Sequence, residues 1–309
     1  MKNNIKFENI AIIGLGLIGS SLALALKKHK IAKSTTGYAK SAKTRQIAKK
    51  LKLVSKVESS LEKTVKSADL VIICTPLSTY KTLIGSIRPY LKVGAIISDV
   101  GSAKSKVMAD AEKILGNDFD FIPAHPIAGT EQSGPEAGFS ELFINRWCIV
   151  TPYAHSKKKN IILIKKLWQK IGSSVEVMTP EHHDRVLAIT SHLPHLIAYN
   201  IVNTAADLET VTKSDVIKYS ASGFRDFTRI ASSDPTMWRD IFINNKEAVL
   251  EMIGRFSEDL SVLQKAVRWG DAAALFKLFS GTRKIRKKII EAGQDLDTAD
   301  FGRAKKKLK

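Results

Sequence analysis

A glycine-rich segment near the N-terminus has the spacing G-x-G-x-x-G and reads Gly14-Leu15-Gly16-Leu17-Ile18-Gly19. In such a segment the first glycine allows a tight turn, the second lets a pyrophosphate approach the backbone, and the third lets a helix pack closely on a strand. An apolar run, Ile10-Ala11-Ile12-Ile13, comes directly before it. A strand, this turn and a helix together predict a dinucleotide site at Gly14, Gly16, Leu17, Ile18 and Gly19. A tight turn without a ligand is the alternative.

The position that distinguishes NAD from NADP carries no acidic residue. NAD sites usually have Asp or Glu about 20 residues after the glycines, at the end of the second strand. Here the sequence reads Gly37-Tyr38-Ala39-Lys40-Ser41, with Arg45 shortly after. Lys40, Ser41 and Arg45 could hold a 2′-phosphate, so the sequence favours acceptance of NADP, with NAD as the alternative. Thr75, which follows the apolar run 70–74, is also predicted to contact the cofactor.

Four further segments concentrate histidine, serine, arginine and acidic side chains. They are residues 99–104, 125–134, 192–195 and 223–232. The first two follow predicted strands, and a doubly wound sheet binds its ligands beyond the carboxyl ends of the strands. Both are therefore expected beside the cofactor. The last segment combines charge, aromatic rings and glycine, and we expect it to face a cleft between two domains.

These segments resemble the motifs of the prephenate/arogenate (cyclohexadienyl) dehydrogenase family of tyrosine biosynthesis, in the same order and over nearly the whole chain. The segments H-P-I-A-G, from His125, and D-F-T-R, from Asp226, are specific to that family, whereas the glycine motif is common to many dehydrogenases. The resemblance implies an NAD(P)-dependent oxidative decarboxylation of prephenate to 4-hydroxyphenylpyruvate, or of arogenate to tyrosine. It also implies a Rossmann domain followed by a helical domain that forms a homodimer.

The resemblance also implies roles for four histidine and serine residues. His125 matches the catalytic histidine of the family, and a neutral imidazole is suited to removing the proton of the substrate hydroxyl near pH 7. Ser102 matches a serine that hydrogen-bonds the same hydroxyl or orients the histidine; its alternative is a helix N-cap for the stretch from Lys104. His192 or His195 is expected to contact the side chain of the substrate, and His192 is favoured.

A second group of matching residues is expected to bind the substrate carboxylate. Arg229 matches the substrate-binding arginine, because a guanidinium group can bind a carboxylate through two hydrogen bonds. Glu131 and Asp226 match an ionic network that positions this arginine, and a surface ion pair between Asp226 and Arg229 is the alternative. Trp238 matches an aromatic residue that shields the site, although a single Trp more often lies in a core.

The elements that must position these residues change in character along the chain. Up to residue 178, short apolar runs alternate with amphipathic stretches, which predicts an α/β Rossmann domain with a parallel sheet covered on both faces. Strands are predicted at 10–13, 34–38, 70–74, 95–98, 119–124 and 147–150, and helices at 21–28 and 43–51. Residues 179–309 are predicted to form an all-helical substrate-binding and dimerisation domain, with its clearest helices at 192–206, 245–268 and 272–292.

Composition restricts the classes of partner. The net charge is +19, but lysines are spread over almost every predicted helix without interleaved aromatics, which does not favour nucleic-acid binding. The positive field would still attract an anionic substrate. No apolar run reaches the roughly 18 residues of a membrane span, so no membrane partner is expected. The N-terminus lacks a signal peptide's apolar core, and Cys74 and Cys148 are expected to be buried thiols, which favours the cytoplasm.

Two alternative functions remain open. One is another two-domain Rossmann reductase, of the β-hydroxyacid or imine type, but such enzymes usually use a catalytic lysine in the helical domain. The other is a non-catalytic protein, either a nicotinamide-binding sensor or a basic nucleic-acid-binding module, which would not need His125 together with Arg229. The adjacent His182 and His183 match no motif and lack metal-ligand spacing, so no metal is predicted. The sequence does not decide between prephenate and arogenate.

Overall fold

The computed structural model describes residues 6–130, 132–212 and 218–291, and its N-terminal part is built on a six-stranded sheet. The strands are β1 (Phe7–Ile13), β2 (Ala32–Tyr38), β3 (Lys56–Glu58), β4 (Leu70–Ile73), β5 (Ile96–Asp99) and β6 (Asp120–Phe121). They are all parallel, in the order β3-β2-β1-β4-β5-β6. The chain reverses its direction across the sheet between β1 and β4, and the crevice beyond the carboxyl ends of these two strands is where this fold binds ligands.

Helices cover both faces of this sheet, as the apolar strands predict. They are α1 (Leu17–Lys28), α2 (Ala42–Lys50), α3 (Leu61–Val65), α4 (Tyr80–Ile87), α5 (Ser105–Leu115) and α6 (Lys158–Lys170). Ile10 and Ile12 of β1 pack with α1, α2 and α6, whereas Ala11 and Ile13 pack with α4 and α5. Successive side chains of a strand point to opposite faces, so each strand contributes to two separate cores.

A smaller sheet corrects one prediction. It contains β7 (Ala124–Pro126), β8 (Trp147–Val150) and β9 (Ser174–Val177), with β7 antiparallel to β8 and β8 parallel to β9. The single strand predicted at 119–124 is wrong, because the chain leaves the large sheet after β6 and enters the small sheet at β7. Pro123 lies between the two strands and has no N–H group to continue the first ladder.

The rest of the described chain is helical. It contains α7 (Pro180–Leu187), a π-helical turn (Ala188–His192), α8 (Leu193–Thr212), α9 (Ser222–Thr228), α10 (Pro235–Asn244), α11 (Lys246–Arg268) and α12 (Ala272–Glu291). Helix α7 begins where the composition changes: Thr179 accepts a hydrogen bond from the backbone of His182, and Pro180 occupies the first helical position. Within the described ranges no strand follows β9, which confirms the predicted fold class. None of the described helices is long and apolar enough to cross a membrane.

The chain divides into two compact units, Met1–Leu250 and Glu251–Lys309. The first contains both sheets and every described residue of the predicted site. The second contains most of α11 and all of α12, and no residue of α12 is buried. The described residues of the candidate site therefore all lie within the first unit.

Candidate active site

The predicted glycine turn lies between β1 and α1, and its geometry requires glycine at two positions. Gly14 has a φ of +101°, and a Cβ there would lie 2.5 Å from the carbonyl oxygen of Cys74 and 3.0 Å from the side chain of Thr75. A Cβ at Gly19 would lie 1.9 Å from the carbonyl oxygen of Gly14. Both clashes would be with backbone, so a larger residue would displace the turn. Thr75, two residues after β4, is thereby placed against the turn.

The second glycine of the motif, Gly16, leaves open space at the start of α1. No atom lies within 4 Å of a Cβ placed at Gly16, and no side chain caps the helix there. The N–H groups of the first helical turn, at Leu17, Ile18 and Gly19, have no acceptors within the helix, and such groups bind phosphate. This arrangement fits a dinucleotide pyrophosphate.

The loop after β2 would lie near the ribose of such a dinucleotide. Ser41 caps α2 and accepts a hydrogen bond from Thr44 N at 3.4 Å. Arg45 Nη1 donates to the carbonyl oxygens of Ala39 and Lys40 at 2.7 and 2.8 Å. Arg45 thus braces its own loop, whereas the side chains of Lys40 and Ser41 are exposed at its tip.

His125 lies on β7, and a buried ion pair fixes this strand at the carboxyl end of β5. Lys104 Nζ donates to both carboxylate oxygens of Asp99, at 2.8 and 2.7 Å, and to the carbonyl oxygen of Ala124 at 2.6 Å. The N–H of Ala124 donates to the same carboxylate at 3.2 Å. Lys104 and Asp99 are fully buried, so they determine where the backbone next to His125 lies.

His125 also hydrogen-bonds a residue that sequence analysis left without a role. Its Nδ1 lies 2.8 Å from Nε2 of His183, and Nδ1 of His183 lies 2.8 Å from Asp184 Oδ1. The Asp184 carboxylate accepts hydrogen bonds from the backbone N–H groups of Lys104 and Ser105 at 2.9 and 2.8 Å. The first turn of α5 is therefore capped by Asp184 rather than by Ser102, the alternative considered for that serine.

Burial keeps this cluster of histidines neutral. The pKa of His125 is lowered well below 6.5 by burial and then by positive charge on His183, Lys104 and His192. Burial also lowers the pKa of His183, although the hydrogen bond to Asp184 acts in the opposite direction. A neutral imidazole can accept a proton near pH 7, as a general base must.

His192 is fully buried at the end of the π-helical turn. The side-chain amide nitrogen of Asn245 lies 2.8 Å from the carbonyl oxygen of Asp184 and 3.0 Å from His192 Nδ1. Because an amide nitrogen donates, His192 Nδ1 accepts and its Nε2 carries the proton. This Nε2 faces the backbone of Ser102 without the geometry of a hydrogen bond, and has no partner among the described residues. Burial lowers the pKa of His192 to about 4.

His195 and Trp238 form an aromatic wall beside this histidine. Their rings stack with centroids 3.6 Å apart, and the His192 ring packs edge-to-face on Trp238 with centroids 6.1 Å apart. Trp238 is also part of the apolar core on the α4–α5 side of the sheet, so it packs in the core and faces the site. Burial lowers the pKa of His195, and the nearby charge of Arg229 contributes to this shift.

The structure thus brings together His125, His192, His195, Trp238 and Arg229, the last at the end of α9. It leaves two predicted residues outside this group. Asp226 is exposed on α9, and Glu131 lies outside the described residues. Sequence analysis missed His183, Asp184 and Asn245. Their only sequence signal is the polar pair His183-Asp184 at the beginning of a helix. Such a pair is common on exposed surfaces, so it does not indicate a functional site.

Two family models together match most of the chain. Residues 22–177 match the model described as prephenate dehydrogenase, nucleotide-binding domain, and residues 179–281 match that described as prephenate dehydrogenase, dimerization domain. The cyclohexadienyl dehydrogenase of Zymomonas mobilis is 40% identical over 280 residues, which cover 91% of this chain and 95% of that protein. The prephenate dehydrogenase of Bacillus subtilis is 34% identical over 280 residues, which cover 90% of this chain and 75% of that protein.

Solved structures show the same fold over the same length. The prephenate dehydrogenase from A. aeolicus, in complex with hydroxyphenyl propionate and NAD+, has a TM-score of 0.86 and 35% sequence identity, covering 91% of this chain and 98% of that one. The Synechocystis arogenate dehydrogenase has a TM-score of 0.76 and 25% identity, covering 91% of this chain and 99% of that one.

Proposed function

The chain belongs to the prephenate dehydrogenase family, and from this membership we propose that it oxidatively decarboxylates prephenate, arogenate or both. The products are 4-hydroxyphenylpyruvate from prephenate and tyrosine from arogenate. The observation that carries the proposal is the buried, neutral imidazole of His125, held by Lys104 and Asp99 at the carboxyl end of a Rossmann sheet. A base at this position lies at the sheet edge where such folds bind their ligands.

Different residues of the chain carry out different steps of the proposed reaction. A bound nicotinamide would accept the hydride from the carbinol carbon of the substrate. His125 takes the proton of the 4-hydroxyl group, and Ser102 hydrogen-bonds that hydroxyl or helps to orient the histidine. Loss of the ring carboxylate as carbon dioxide then makes the ring aromatic, which drives the reaction forward. Burial lowers the pKa of His125, which keeps the imidazole unprotonated near pH 7 and able to take that proton.

The residues around the aromatic wall are proposed to bind the substrate. Arg229 holds a substrate carboxylate. The family match assigns Glu131 and Asp226 to the positioning of this arginine, although Asp226 is exposed on α9. The family match assigns His192 to the side chain of the substrate, and its protonated Nε2 lies beside the backbone of Ser102, another residue of the proposed site. His195 lies at the same wall, where Trp238 shields the site from solvent.

The cofactor site fits NAD or NADP. The start of α1 supplies the phosphate-binding N–H groups of Leu17, Ile18 and Gly19. The loop after β2 lacks an acidic residue, and Lys40 and Ser41 are exposed where a 2′-phosphate would lie. This favours acceptance of NADP, with Arg45 acting indirectly by bracing the loop.

We assign these tasks to two functional segments, 1–178 and 179–309. The family models divide the chain at the same place. The match of the second segment to a dimerization domain supports a homodimer. Cys74 and Cys148 are both free thiols, which supports the cytoplasm as the place of action.

The test is a spectrophotometric assay of nicotinamide reduction by the purified protein. Prephenate and arogenate are each combined with NAD and with NADP, which gives four reactions. We expect turnover in at least one of them, with the best pair defining both specificities. Cofactor binding by calorimetry without turnover in any of the four would instead indicate another Rossmann reductase or a nicotinamide-binding sensor.

A further inference from the structure

Two buried side chains at the start of the helical region have no part in the chemistry described so far. His183 and Asp184 are buried on α7, whereas the neighbouring His182 is exposed. His183 Nε2 lies 2.8 Å from His125 Nδ1, and His183 Nδ1 lies 2.8 Å from the Asp184 carboxylate. The three side chains therefore form a continuous hydrogen-bonded chain that ends at the proposed base.

The carboxylate at the far end determines the direction of each hydrogen bond. Burial disfavours its charge, but hydrogen bonds from His183 and Ser105 outweigh burial and lower the pKa of Asp184. An ionised carboxylate only accepts, so His183 Nδ1 donates to it. The Nε2 of a neutral His183 then accepts, and His125 must donate from Nδ1. This leaves His125 Nε2 with a free lone pair.

The groups around His183 favour this arrangement. Lys104, before α5, lowers the pKa of His183 in addition to burial, whereas Asp184 on α7 and Asp99 on β5 raise it. His125 on β7 and His192 on the π-helical turn lie close enough that a charge on His183 lowers the pKa of both. A second positive charge in this cluster is therefore unfavourable, and all three imidazoles are neutral before the reaction.

We propose that His183 and Asp184 are positioning residues that hold His125 in the one tautomer able to take the substrate proton at Nε2. When the hydroxyl O–H bond breaks and the N–H bond forms at Nε2, His125 becomes an imidazolium. His183 accepts the hydrogen bond from its Nδ1, and Asp184 stabilises the charge through His183. A carboxylate has the same effect on the histidine of a hydrolytic triad, where it sets the tautomer and stabilises the imidazolium. This inference deepens the proposed function and rests on it for the identity of the step.

Substitution of His183 separates this role from a structural one. His183→Leu removes the acceptor, whereas His183→Gln places a carbonyl oxygen near the position of Nε2. We expect His183→Leu to lower kcat about 100-fold or more, with KM changed by less than about threefold, and His183→Gln to recover about tenfold of that loss. The matched control is the exposed neighbour: His182→Leu should leave kcat within about twofold of the parent.

Equal kcat for the two leucine variants, or a change in KM alone, would overturn the proposal. The melting temperature of each variant is measured first. If a His183 variant does not fold, the proposal is tested instead by NMR spectroscopy of the histidine rings, which needs no substitution at His183.

Nitrogen-15 NMR of the histidine rings reads the tautomer directly in the unsubstituted protein at neutral pH. The signals of His125 are identified by their loss in His125→Asn. We expect a protonated Nδ1 and an unprotonated Nε2, and the opposite tautomer would overturn the proposal even in an active enzyme. If neither prephenate nor arogenate is oxidised, the proposed function fails, while the spectrum still decides whether His125 holds the tautomer that the contact with His183 requires.

Discussion

At the scale of single residues, burial makes the histidines of the site chemically similar, and hydrogen bonds then make them different. Burial lowers the pKa values of His125, His183, His192 and His195. All four are therefore neutral near pH 7. His125 presents a lone pair because His183 accepts from its Nδ1, and His192 presents an N–H group because Asn245 donates to its Nδ1. One site thus holds both a base and a neutral donor.

The depressed pKa of His125 predicts the pH dependence of turnover. A base acts only while it is unprotonated, so activity should persist as the pH falls through 6.5, the ordinary histidine value, and be lost only at lower pH. The measurement is kcat against pH, compared with His125→Asn. That variant should lose about 100- to 10,000-fold in kcat with a smaller change in KM. Intact turnover in His125→Asn would show that another group is the base.

Arg229 should act on binding rather than on turnover. Loss of a charged hydrogen-bonding pair costs about 1.5–3 kcal/mol, so Arg229→Ala should raise KM for the substrate about 10- to 100-fold. Arg225→Ala is the matched control, because Arg225 is exposed on α9, one turn before Arg229 at the end of that helix. Steady-state kinetics of both variants provide the measurement, and equal KM values would remove Arg229 from the carboxylate site.

Sequence patterns predict the parts of the site that are encoded locally. Gly14, Gly16 and Gly19 are recognisable because their spacing alone specifies a turn. His183 is not recognisable, because its contact with His125 joins residues 58 positions apart. Only the folded chain shows that, of two adjacent histidines, one faces the base and the other faces solvent.

At the scale of elements, a substitution in the turn between β1 and α1 should weaken cofactor binding without affecting folding. Gly16→Ala should fold normally, because a Cβ there has no atom within 4 Å. It should nevertheless weaken cofactor binding, because the added methyl occupies the space for the pyrophosphate. Gly85→Ala on α4 is the control, since a Cβ there also meets nothing within 4 Å. Calorimetric cofactor affinity unchanged in Gly16→Ala would place the pyrophosphate elsewhere.

The buried ion pair between Lys104 and Asp99, which fixes β7 at the carboxyl end of β5, should contribute to stability. Lys104→Met should lower the free energy of unfolding by about 3–5 kcal/mol, because it leaves the Asp99 carboxylate buried without its cation. Lys106→Met removes an exposed lysine of α5, whose ion pair with Asp110 spans 3.6 Å, and should change stability by less than about 0.5 kcal/mol. Urea unfolding of the two variants measures the difference. Similar values would mean that the buried pair contributes little.

The central strands β1, β4 and β5 follow from the sequence because their apolar runs must be buried on both faces, whereas the short edge strand β3 is not predicted. The small sheet does not follow from the sequence, since β7 has three residues and β9 is mostly exposed. Its antiparallel pairing joins segments more than 20 residues apart along the chain, with no hairpin motif between them. Helix α1 begins four residues earlier than predicted, at Leu17 instead of residue 21, because the glycine turn forms its first turn.

At the scale of the whole molecule, the second compact unit carries apolar surface that a monomer would leave in water. Phe276 and Phe279 of α12 are 75% and 56% exposed, and the same helix also exposes Leu278, Ile285, Ile289 and Ile290. Apolar surface of this extent marks an interaction site. The match of residues 179–281 to a dimerization domain supports a second copy of the chain as the partner.

Light scattering should therefore give about twice the chain mass of 34.1 kDa. Replacing Phe276 and Phe279 together with Glu should shift the protein towards monomer, because the two carboxylates would have to be buried. Lys277→Glu changes the charge between these positions and should leave the dimer intact. A parent protein that is monomeric at assay concentrations would contradict the homodimer.

The contact between His125 and His183 limits which chimeric proteins can be active. The proposed base, His125, is encoded in the segment matched as nucleotide-binding, and His183, which we propose orients it, is encoded beyond residue 178. A chimera that joins this Rossmann segment to the helical segment of an unrelated reductase would retain its cofactor site and lose the orientation of its base. A junction at 178 follows the boundary between the two family-model matches, but it would separate His125 from His183. Recombination would succeed only with helical segments that supply a histidine and an aspartate at the start of α7.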